Sequence, residues 1–310
     1  MKVTRLALGC APLGNLYRAT TDEAAQATVD AAWDRGVRLF DTAPLYGHGV
    51  SERRTGRSLQ GRPRDEYLLA TKVGRLLVPD APGTPPARTI FEHLPPVHPE
   101  PDFSAAGVLR SIEASLGRLG LDRVDVVHLH DPDDHIDQAL REAHPALVRL
   151  RDEGVIGAIG VGTNHAHVAA RFVGAVDLDW LLLAGRHTLL EQTGTAELFP
   201  RCQELGVRVL AAAVLNSGIL ADPVPGAHYD YAPAPDDVVA RAQRMQAICA
   251  RHGVPLVAAA LQFPLRHPAV DTVLVGAGSA AEVDEDVRLL DLDIPAACWA
   301  ELATEGVPLD

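Results

Sequence analysis

Eight short apolar runs alternate with amphipathic stretches along the whole chain. The runs are rich in Val, Leu and Ile and have the length of strands buried on both faces. They are Leu6–Gly9, Val37–Asp41, Tyr67–Lys72, Val124–His130, Ile156–Val161, Leu178–Leu183, Val207–Ala213 and Thr272–Val275. Helical periodicity predicts helices at Thr21–Arg35, Ser104–Leu119, Asp137–Glu153, His165–Val173, Thr195–Leu205, Pro235–His252, Val254–Arg266 and Ala280–Leu290. This alternation is typical of βα units built around a parallel sheet.

The number of units favours an α/β fold that closes into a (β/α)₈ TIM barrel over a doubly wound open sheet. An open sheet usually carries a Gly-rich fingerprint after its first strand, and Gly9…Gly14 does not match it. Two irregular segments, 79–101 and 216–235, each follow a predicted strand. In a barrel they would be long loops on the C-terminal face, where active sites are built. Because strands and helices resume after each segment, we predict a single domain over residues 1–310.

The acidic composition argues against nucleic acids and anionic membranes as partners. The chain has 28 basic and 41 acidic residues, a formal net charge of −13, whereas both partners require a basic face. No apolar run approaches the ~18 residues of a membrane helix, and the N-terminus lacks a signal-peptide core. The four cysteines form no close pair and suggest free thiols rather than a metal site. We therefore expect a cytoplasmic protein that binds a small molecule and no metal; its oligomeric state cannot be read from the pattern.

Three ionisable residues end three consecutive predicted strands: Asp41, Lys72 and His130. A charged group after an apolar strand is costly unless it is paired or solvated, so each alone could be a rim ion pair. In a barrel, however, the strand ends converge on one mouth, and the three side chains can meet there. Tyr46 lies in a Gly-flanked loop just after Asp41, in a chain with few aromatic residues.

A phenol with a pKa of ~10 is a poor proton shuttle at neutral pH. A lysine ammonium within ~4–6 Å favours the phenolate, and a carboxylate can hold that ammonium in place. The residues thus predict an acid/base relay in which Lys72 lowers the pKa of Tyr46 and Asp41 holds Lys72. His130 would orient a substrate oxygen.

These residues lie in motifs that resemble the aldo-keto reductase superfamily. The motifs are FDTAPLYGHGVSERRTG at 40–56, the strand end at Lys72, and DVVHLHDP at 125–132. By resemblance, the catalytic tetrad is Asp41, Tyr46, Lys72 and His130, while His128 falls on a usually apolar position and is expected to be packed. The resemblance implies an oxidoreductase that uses NAD or NADP.

The resemblance also implies contacts to the cofactor. Thr163 and Asn164, in the segment GVGTN at 160–164, would hold the nicotinamide carboxamide, although a plain strand-end turn is the alternative. The segment LAAAVLNSGIL at 210–220 resembles the pyrophosphate-side loop, with contacts from Asn216, Ser217, Gly218 and Leu220. The last strand and its loop resemble the part that grips the adenosine half, through Gly276, Gly278, Ser279, Glu282 and Asp286. The chain departs from the family at Ala184, where a glutamine is usual, and at Ala212, where a tyrosine often stacks on the nicotinamide.

The charges near the last strand favour NAD over NADP. NADP-using relatives place Lys or Arg there to pair with the 2′-phosphate, and between His267 and Arg288 this chain has neither. A charge pair lost at ~4 Å forgoes about 4 kcal/mol at an effective dielectric near 20. The acidic residues of this stretch, which include Glu282 and Asp284, would also repel the phosphate. We expect NAD, with NADP possible.

Further details resemble a subgroup, that of the bacterial L-fucose dehydrogenases or D-threo-aldose 1-dehydrogenases. They are the Pro-rich insert after Lys72, HDPDD at 130–134, NSG at 216–218 and AALQFPLRHP at 259–268. The resemblance implies oxidation of the anomeric hydroxyl of an aldose such as L-fucose to the lactone, with pyridoxal 4-dehydrogenase or a general aldehyde/ketone reductase as alternatives. A nucleotide-sensing regulatory subunit is the alternative from another class. Polar residues available to a substrate include His48, Asp131, Arg186 and His187.

Overall fold

Eight parallel strands close into a barrel in the computed structural model of the chain, which describes residues 3–83 and 89–308. The strands are β1 (Leu6–Gly9), β2 (Leu39–Asp41), β3 (Leu68–Val73), β4 (Val124–His130), β5 (Ile156–Thr163), β6 (Trp180–Ala184), β7 (Arg208–Ala212) and β8 (Val270–Gly276). Each strand pairs with its neighbours along the chain, and β1 pairs with β8 to close the ring. The predicted TIM barrel is confirmed, and all eight predicted strands are present.

The helices surround the barrel. They are α1 (Asp22–Asp34), α2 (Val50–Leu59), α3 (Ala105–Leu119), α4 (His144–Asp152), α5 (Ala166–Phe172), α6 (Thr195–Leu205), α7 (Asp236–Arg251), α8 (Leu256–Gln262), α9 (Ala280–Leu290) and α10 (Ala296–Leu302). Side-chain caps fix several starts: the hydroxyls of Thr21, Ser104 and Ser279 accept backbone N–H bonds from the first turns of α1, α3 and α9.

The helix predicted over Asp137–Glu153 is less regular than its pattern suggests. A single turn at Ile136–Gln138 runs into a π-helical segment, Ala139–Ala143, before α4 begins. Pro145 lies in the first turn of α4 and has no N–H to continue a regular ladder, which gives a local reason for the wider turn before it.

Helices α2 and α10 are not predicted by the apolar periodicity of the sequence. The buried face of α2 is polar, because it consists of Ser51, Glu52, Thr55, Gly56 and Ser58 beside Leu59. Glu52 is fully buried, and its carboxylate accepts bonds from Thr71 and Arg118. An apolar period therefore cannot reveal this helix, since hydrogen bonds and an ion pair replace the apolar contacts on which such a prediction depends.

The apolar core has two layers. Inside the barrel pack side chains from alternate strand positions, among them Leu39, Val126, Trp180 and Leu274. A larger cluster fills the space between the barrel and the helices, with Phe40, Phe172 and Phe199 fully buried. Because the interior is filled below the strand ends, a ligand can enter only at the mouth.

The two segments predicted to be irregular are partly ordered. Residues 75–79 and 97–101 form an antiparallel hairpin, Arg75–Pro79 with Val97–Pro101, so that both ends of the 79–101 segment belong to strands. Pro99 and Pro101, on either side of Glu100, hide the second strand of this hairpin in the sequence. Residues 84–88 of the same prediction lie outside the described residues. In the 216–235 segment, a tight turn at Asn216–Gly218 precedes a short hairpin, His228–Tyr229 with Ala232–Pro233.

Among the described helices, none is both long and apolar enough to cross a bilayer on its own. Taken together, the two consecutive segments Asp236–Arg251 and Leu256–Arg266 are long and apolar enough, but they are bent by 101° relative to each other.

The loops after β1 and β2 touch backbone to backbone. A Cβ added at Gly14 would lie 2.7 Å from the carbonyl carbon of Tyr46 and 2.9 Å from the nitrogen of Gly47. Real Cβ atoms do not approach backbone so closely, so glycine at this position lets the first loop lie directly against the turn that carries Tyr46.

We expect Gly14→Ala to lower the free energy of unfolding by about 1–3 kcal/mol, the usual cost of overpacking, because backbone must move to admit the methyl group. Urea denaturation of the purified variant measures this. Gly117→Ala is the matched control: Gly117 is an exposed glycine within α3 with nothing near its Cβ position, and alanine there should stabilise the helix by about 0.5–1 kcal/mol. Equal stabilities for the two variants would contradict the close contact.

Candidate active site

A buried ion pair lies at the centre of the barrel mouth. Lys72, at the end of β3, donates from Nζ to Asp41 Oδ1 at 2.5 Å and to the carbonyl oxygen of Thr42 at 2.9 Å. Both charged side chains are 1% exposed. Parallel pairing of β2 and β3 sets Asp41 beside Ala70, and therefore brings the carboxylate within reach of a lysine two residues further along.

Tyr46 lies over this pair. The ammonium nitrogen of Lys72 is 4.6 Å from the centroid of the Tyr46 ring, and the imidazole of His130 contacts the ring edge-on with centroids 5.8 Å apart. Phe91, from the insert after β3, approaches from another side at 6.2 Å. The structure thus brings together all four residues predicted to form the tetrad.

The electrostatics of Tyr46 differ from the expectation based on sequence. Enclosure in the barrel mouth raises the pKa of Tyr46 well above its usual value, and the Asp41 carboxylate raises it further. Lys72 does not reverse this, because its ammonium is already neutralised by Asp41 at 2.5 Å. The phenol therefore keeps its proton at neutral pH.

His130, at the end of β4, is neutral. Burial and the nearby charges of Lys72 and Arg75 hold its pKa well below the usual range. Its Nδ1 has no hydrogen-bond partner among the described residues, and its Nε2 lies 3.8 Å from Asp131 Oδ2. A neutral imidazole can donate one hydrogen bond to a substrate oxygen, as the sequence analysis expects.

His128 is fully buried two residues earlier on β4. Burial lowers its pKa to about 3. A Cβ at Gly160, its partner on β5, would collide with its imidazole, so the glycine makes room for the ring. His128 is packed below the site, as predicted.

A cavity of about 750 Å³ opens above the four residues. Most of the predicted cofactor contacts line it: Thr163, Asn164, Ser217, Gly218, Gly276, Gly278 and Glu282. Ala184 and Ala212, where the resemblance led us to expect a glutamine and a tyrosine, also line it. Their small size leaves open space at the barrel mouth.

Four predicted cofactor residues lie outside this lining. Leu220 is fully buried in the core, and Ser279 uses its hydroxyl to cap α9. Asp286 lies with Leu6 and other apolar side chains at a small recess, where burial and the neighbouring Glu282 and Glu285 raise its pKa to about 7. Asn216 is 2% exposed beside the cavity residue Ser217, and neither its Oδ1 nor its Nδ2 has a hydrogen-bond partner within the described part of the chain.

Of the substrate candidates, the structure brings only Asp131 to the cavity. His48 is buried in the turn after Tyr46, where its Nδ1 is 2.7 Å from the carbonyl oxygen of Val97 in the hairpin. Arg186 forms a two-bond ion pair with Asp230. His187 is 6% exposed and packs against the rings of Phe199 and Phe263. Each of these three is engaged in structural contacts away from the cavity lining.

The cavity residues that come from loops and were not singled out in the sequence include Tyr17, Arg18, Phe91 and Tyr231. The Tyr231 hydroxyl bonds to the side chain of Asn164, and its backbone N–H donates to the Ser217 hydroxyl. The first loop is joined to the insert by backbone contacts: the Tyr17 N–H donates to the carbonyl oxygen of Ile90, and Leu16 forms a β-bridge with Phe91. The available signal was the position of scarce aromatic residues in loops on the C-terminal face.

Comparison with known proteins decides the family. The model of the aldo/keto reductase family matches residues 5–304. The chain belongs to the aldo/keto reductase family. It is 45% identical to a D-threo-aldose 1-dehydrogenase from Pseudomonas sp, over 98% of this chain and 94% of that one. It is 38% identical to a pyridoxal 4-dehydrogenase from Microbacterium luteolum, over 99% and 95% of the two chains.

Solved structures agree with this assignment. An aldo-keto reductase from Bacillus halodurans, in its holo form, superposes with a TM-score of 0.75 at 26% identity, covering 99% of this chain and 93% of that one. As an aldo/keto reductase, the chain is an NAD(P)-dependent oxidoreductase.

The cavity fits a nicotinamide dinucleotide. Asn216, whose amide oxygen and nitrogen lack hydrogen-bond partners among the described residues, lies beside the lining residue Ser217. The cavity has apolar space at Ala184 and Ala212 for a flat ring. It also has a cationic side chain, Arg18, at the end lined by Gly276 and Gly278. Within residues 3–83 and 89–308, no group of three or more His, Cys, Asp or Glu side chains is arranged so that it could bind a metal ion.

The raised pKa of Tyr46 leads to a test with Asp41→Asn. Removing the carboxylate takes away a like charge and leaves Lys72 uncompensated, so the pKa of Tyr46 should fall by about 1–3 pH units. Ultraviolet absorbance of the phenolate, taken as the difference from the same variant carrying Tyr46→Phe, follows this ionisation. The variant should also lose about 3–5 kcal/mol of stability, because a buried charge is left alone.

The double variant Asp41→Asn with Lys72→Met is the matched control. Without either charge, enclosure alone should keep the pKa of Tyr46 raised, and stability should recover relative to the single variant. An unchanged pKa in the single variant would mean that the pair does not govern the phenol.

Proposed function

We propose that this enzyme oxidises the anomeric hydroxyl of an aldose to the lactone and uses NAD as its cofactor. The observation that carries the proposal is the convergence of Tyr46, His130 and the Lys72–Asp41 pair at the base of a cavity of about 750 Å³. Two relatives carry names that support an aldose substrate. They are the D-threo-aldose 1-dehydrogenase and an L-galactose dehydrogenase from Arabidopsis thaliana, 32% identical over 93% of this chain and 84% of that one.

The cavity has the mixed lining that suits a sugar. Asp131 and His130 offer an acceptor and a donor for hydroxyl groups, beside the phenol of Tyr46. Leu45, Ile90 and Phe91 add apolar surface for the C–H groups of a pyranose or for a methyl substituent such as that of L-fucose. Burial raises the pKa of Asp131 while the Arg75 charge opposes this, and Arg75 Nη2 lies 4.0 Å from its carboxylate.

When bound, the cofactor would supply the acceptor for the hydride of the anomeric carbon. We assign its carboxamide to Thr163 and Asn164, its diphosphate to Asn216, Ser217 and Gly218, and its adenosine half to Gly276, Gly278 and Glu282. The neutral imidazole of His130 orients the reacting hydroxyl by a hydrogen bond. Tyr46, as the phenolate, takes the proton of that hydroxyl, and in the reverse direction the phenol returns it.

Pyridoxal is the second candidate substrate, because the pyridoxal 4-dehydrogenase shares 38% identity with this chain. The deciding experiment measures NADH or NADPH formation with L-fucose, D-arabinose, L-galactose, D-threose and pyridoxal. We expect the highest kcat/KM with an aldose and NAD. Turnover of pyridoxal alone would replace the aldose proposal, and nucleotide binding without turnover of any substrate would favour a regulatory subunit.

Tyr46→Phe tests the acid/base role. We expect kcat to fall by about 10²–10⁴-fold, the usual contribution of a general acid or base, with nucleotide affinity nearly unchanged. Steady-state kinetics and nucleotide titration measure the two quantities. Tyr67→Phe is the control, since Tyr67 packs against Trp33 and Phe40 outside the cavity lining and should keep wild-type kcat. A Tyr46→Phe enzyme with more than about a tenth of wild-type kcat would exclude Tyr46 as the proton shuttle.

The two directions should respond differently to pH. Oxidation uses the phenolate, and because enclosure raises the pKa of Tyr46, its rate should increase from neutral to alkaline pH. Lactone reduction uses the phenol and should not increase over that range. Initial rates in both directions, at saturating nucleotide, give the comparison; an oxidation rate independent of pH would argue that another group takes the proton.

A further inference from the structure

An ion pair spans the end of the cavity next to β8. Arg18, in the loop after β1, places Nη2 2.5 Å from Oε1 of Glu282 in the first turn of α9. The second carboxylate oxygen of Glu282 accepts the backbone N–H of Gly278 at 2.7 Å. All three residues line the cavity, so this pair faces whatever the cavity binds.

Arg18 supplies a cation that the stretch around β8 lacks. Among the described residues that line the cavity, Arg18 and Lys72 are the arginine and lysine side chains, and Lys72 is already paired with Asp41 in the interior. The guanidinium lies close over Gly278: a Cβ there would be 2.9 Å from Nη2. The absence of Lys and Arg between His267 and Arg288 therefore does not leave this end of the cavity without a positive charge.

We infer that Arg18 and Glu282 together set the nucleotide preference, with Glu282 holding Arg18 away from a 2′-phosphate. This rests on the proposed binding of a nicotinamide dinucleotide with its adenosine half at β8. An acidic residue suits a ribose 2′-hydroxyl, whereas a 2′-phosphate needs a guanidinium and is repelled by a carboxylate. NADP must displace Glu282 from Arg18 before it can use that cation, and NAD need not.

The effect should be moderate, because the side chains of Arg18 and Glu282 are 63% and 44% exposed. Water and salt screen such a pair. We expect a change of about tenfold in relative affinity rather than a complete reversal, and we expect it to shrink at high ionic strength.

Glu282→Gln is the decisive variant, since glutamine keeps an oxygen that can accept the Gly278 N–H while the negative charge is lost. Calorimetric titration of the purified protein with NAD and with NADP, without substrate, gives both dissociation constants. The ratio Kd(NADP)/Kd(NAD) should fall by about tenfold through tighter NADP binding. Adding Arg18→Gln to this variant should cancel the gain.

Asp284→Asn is the matched control. Asp284 lies on the same helix and pairs with Arg35 at 2.7 Å with similar exposure, but neither residue lines the cavity. This variant removes the same charge from the helix and should leave the ratio within about twofold of wild type.

The outcomes separate this inference from the proposed function. Wild-type binding of NAD, with an unchanged ratio in Glu282→Gln, would overturn the selectivity pair and leave the dinucleotide site standing. The same would follow if Asp284→Asn shifted the ratio equally, or if the NADP gain persisted without Arg18. Failure of the wild type to bind either nucleotide would remove both proposals.

Discussion

The buried pair of Asp41 and Lys72 is the contact around which the barrel mouth is organised. Two opposite charges at 1% exposure are tolerable only as a pair with good geometry, and adjacent parallel strands supply that geometry. The carbonyl oxygen of Thr42 takes a second bond from the ammonium and fixes its direction. Since the pair is neutral as a whole, its ammonium does not offset the effect of enclosure on Tyr46, and the phenol above it keeps its proton at neutral pH.

Much of this arrangement was predictable from the sequence, for a physical reason. Fully buried parallel strands must be apolar, so a charged residue at the end of one is conspicuous, and barrel closure brings such ends together. Asp41, Lys72 and His130 were found in this way, and their motifs indicated Tyr46. Thr163 and Asn164 were named from the resemblance to the family, and they line the cavity.

What escaped prediction depends on contacts between segments distant in the chain. The buried face of α2 is polar because Arg118 and Thr71 satisfy Glu52, and neither partner is visible from the local pattern. The hairpin after β3 pairs strands that contain proline and charge. His187 was named as a polar residue available to a substrate, yet aromatic rings from α6 and from the residue after α8 pack against it. Local sequence carries the period of an element but not the identity of its neighbours.

The close approach at Gly14 has a consequence for how this enzyme can change. The segment from Ala11 to Arg18 lies against the turn of Tyr46 at one end and is tied to Glu282 at the other. This stretch of eight residues, counted from 11 to 18, therefore contacts both the turn that carries Tyr46 and the carboxylate proposed to set the nucleotide preference. Mutations that reshape it would alter rate and coenzyme use together, so natural variants of this loop should be found as correlated sets rather than as independent substitutions.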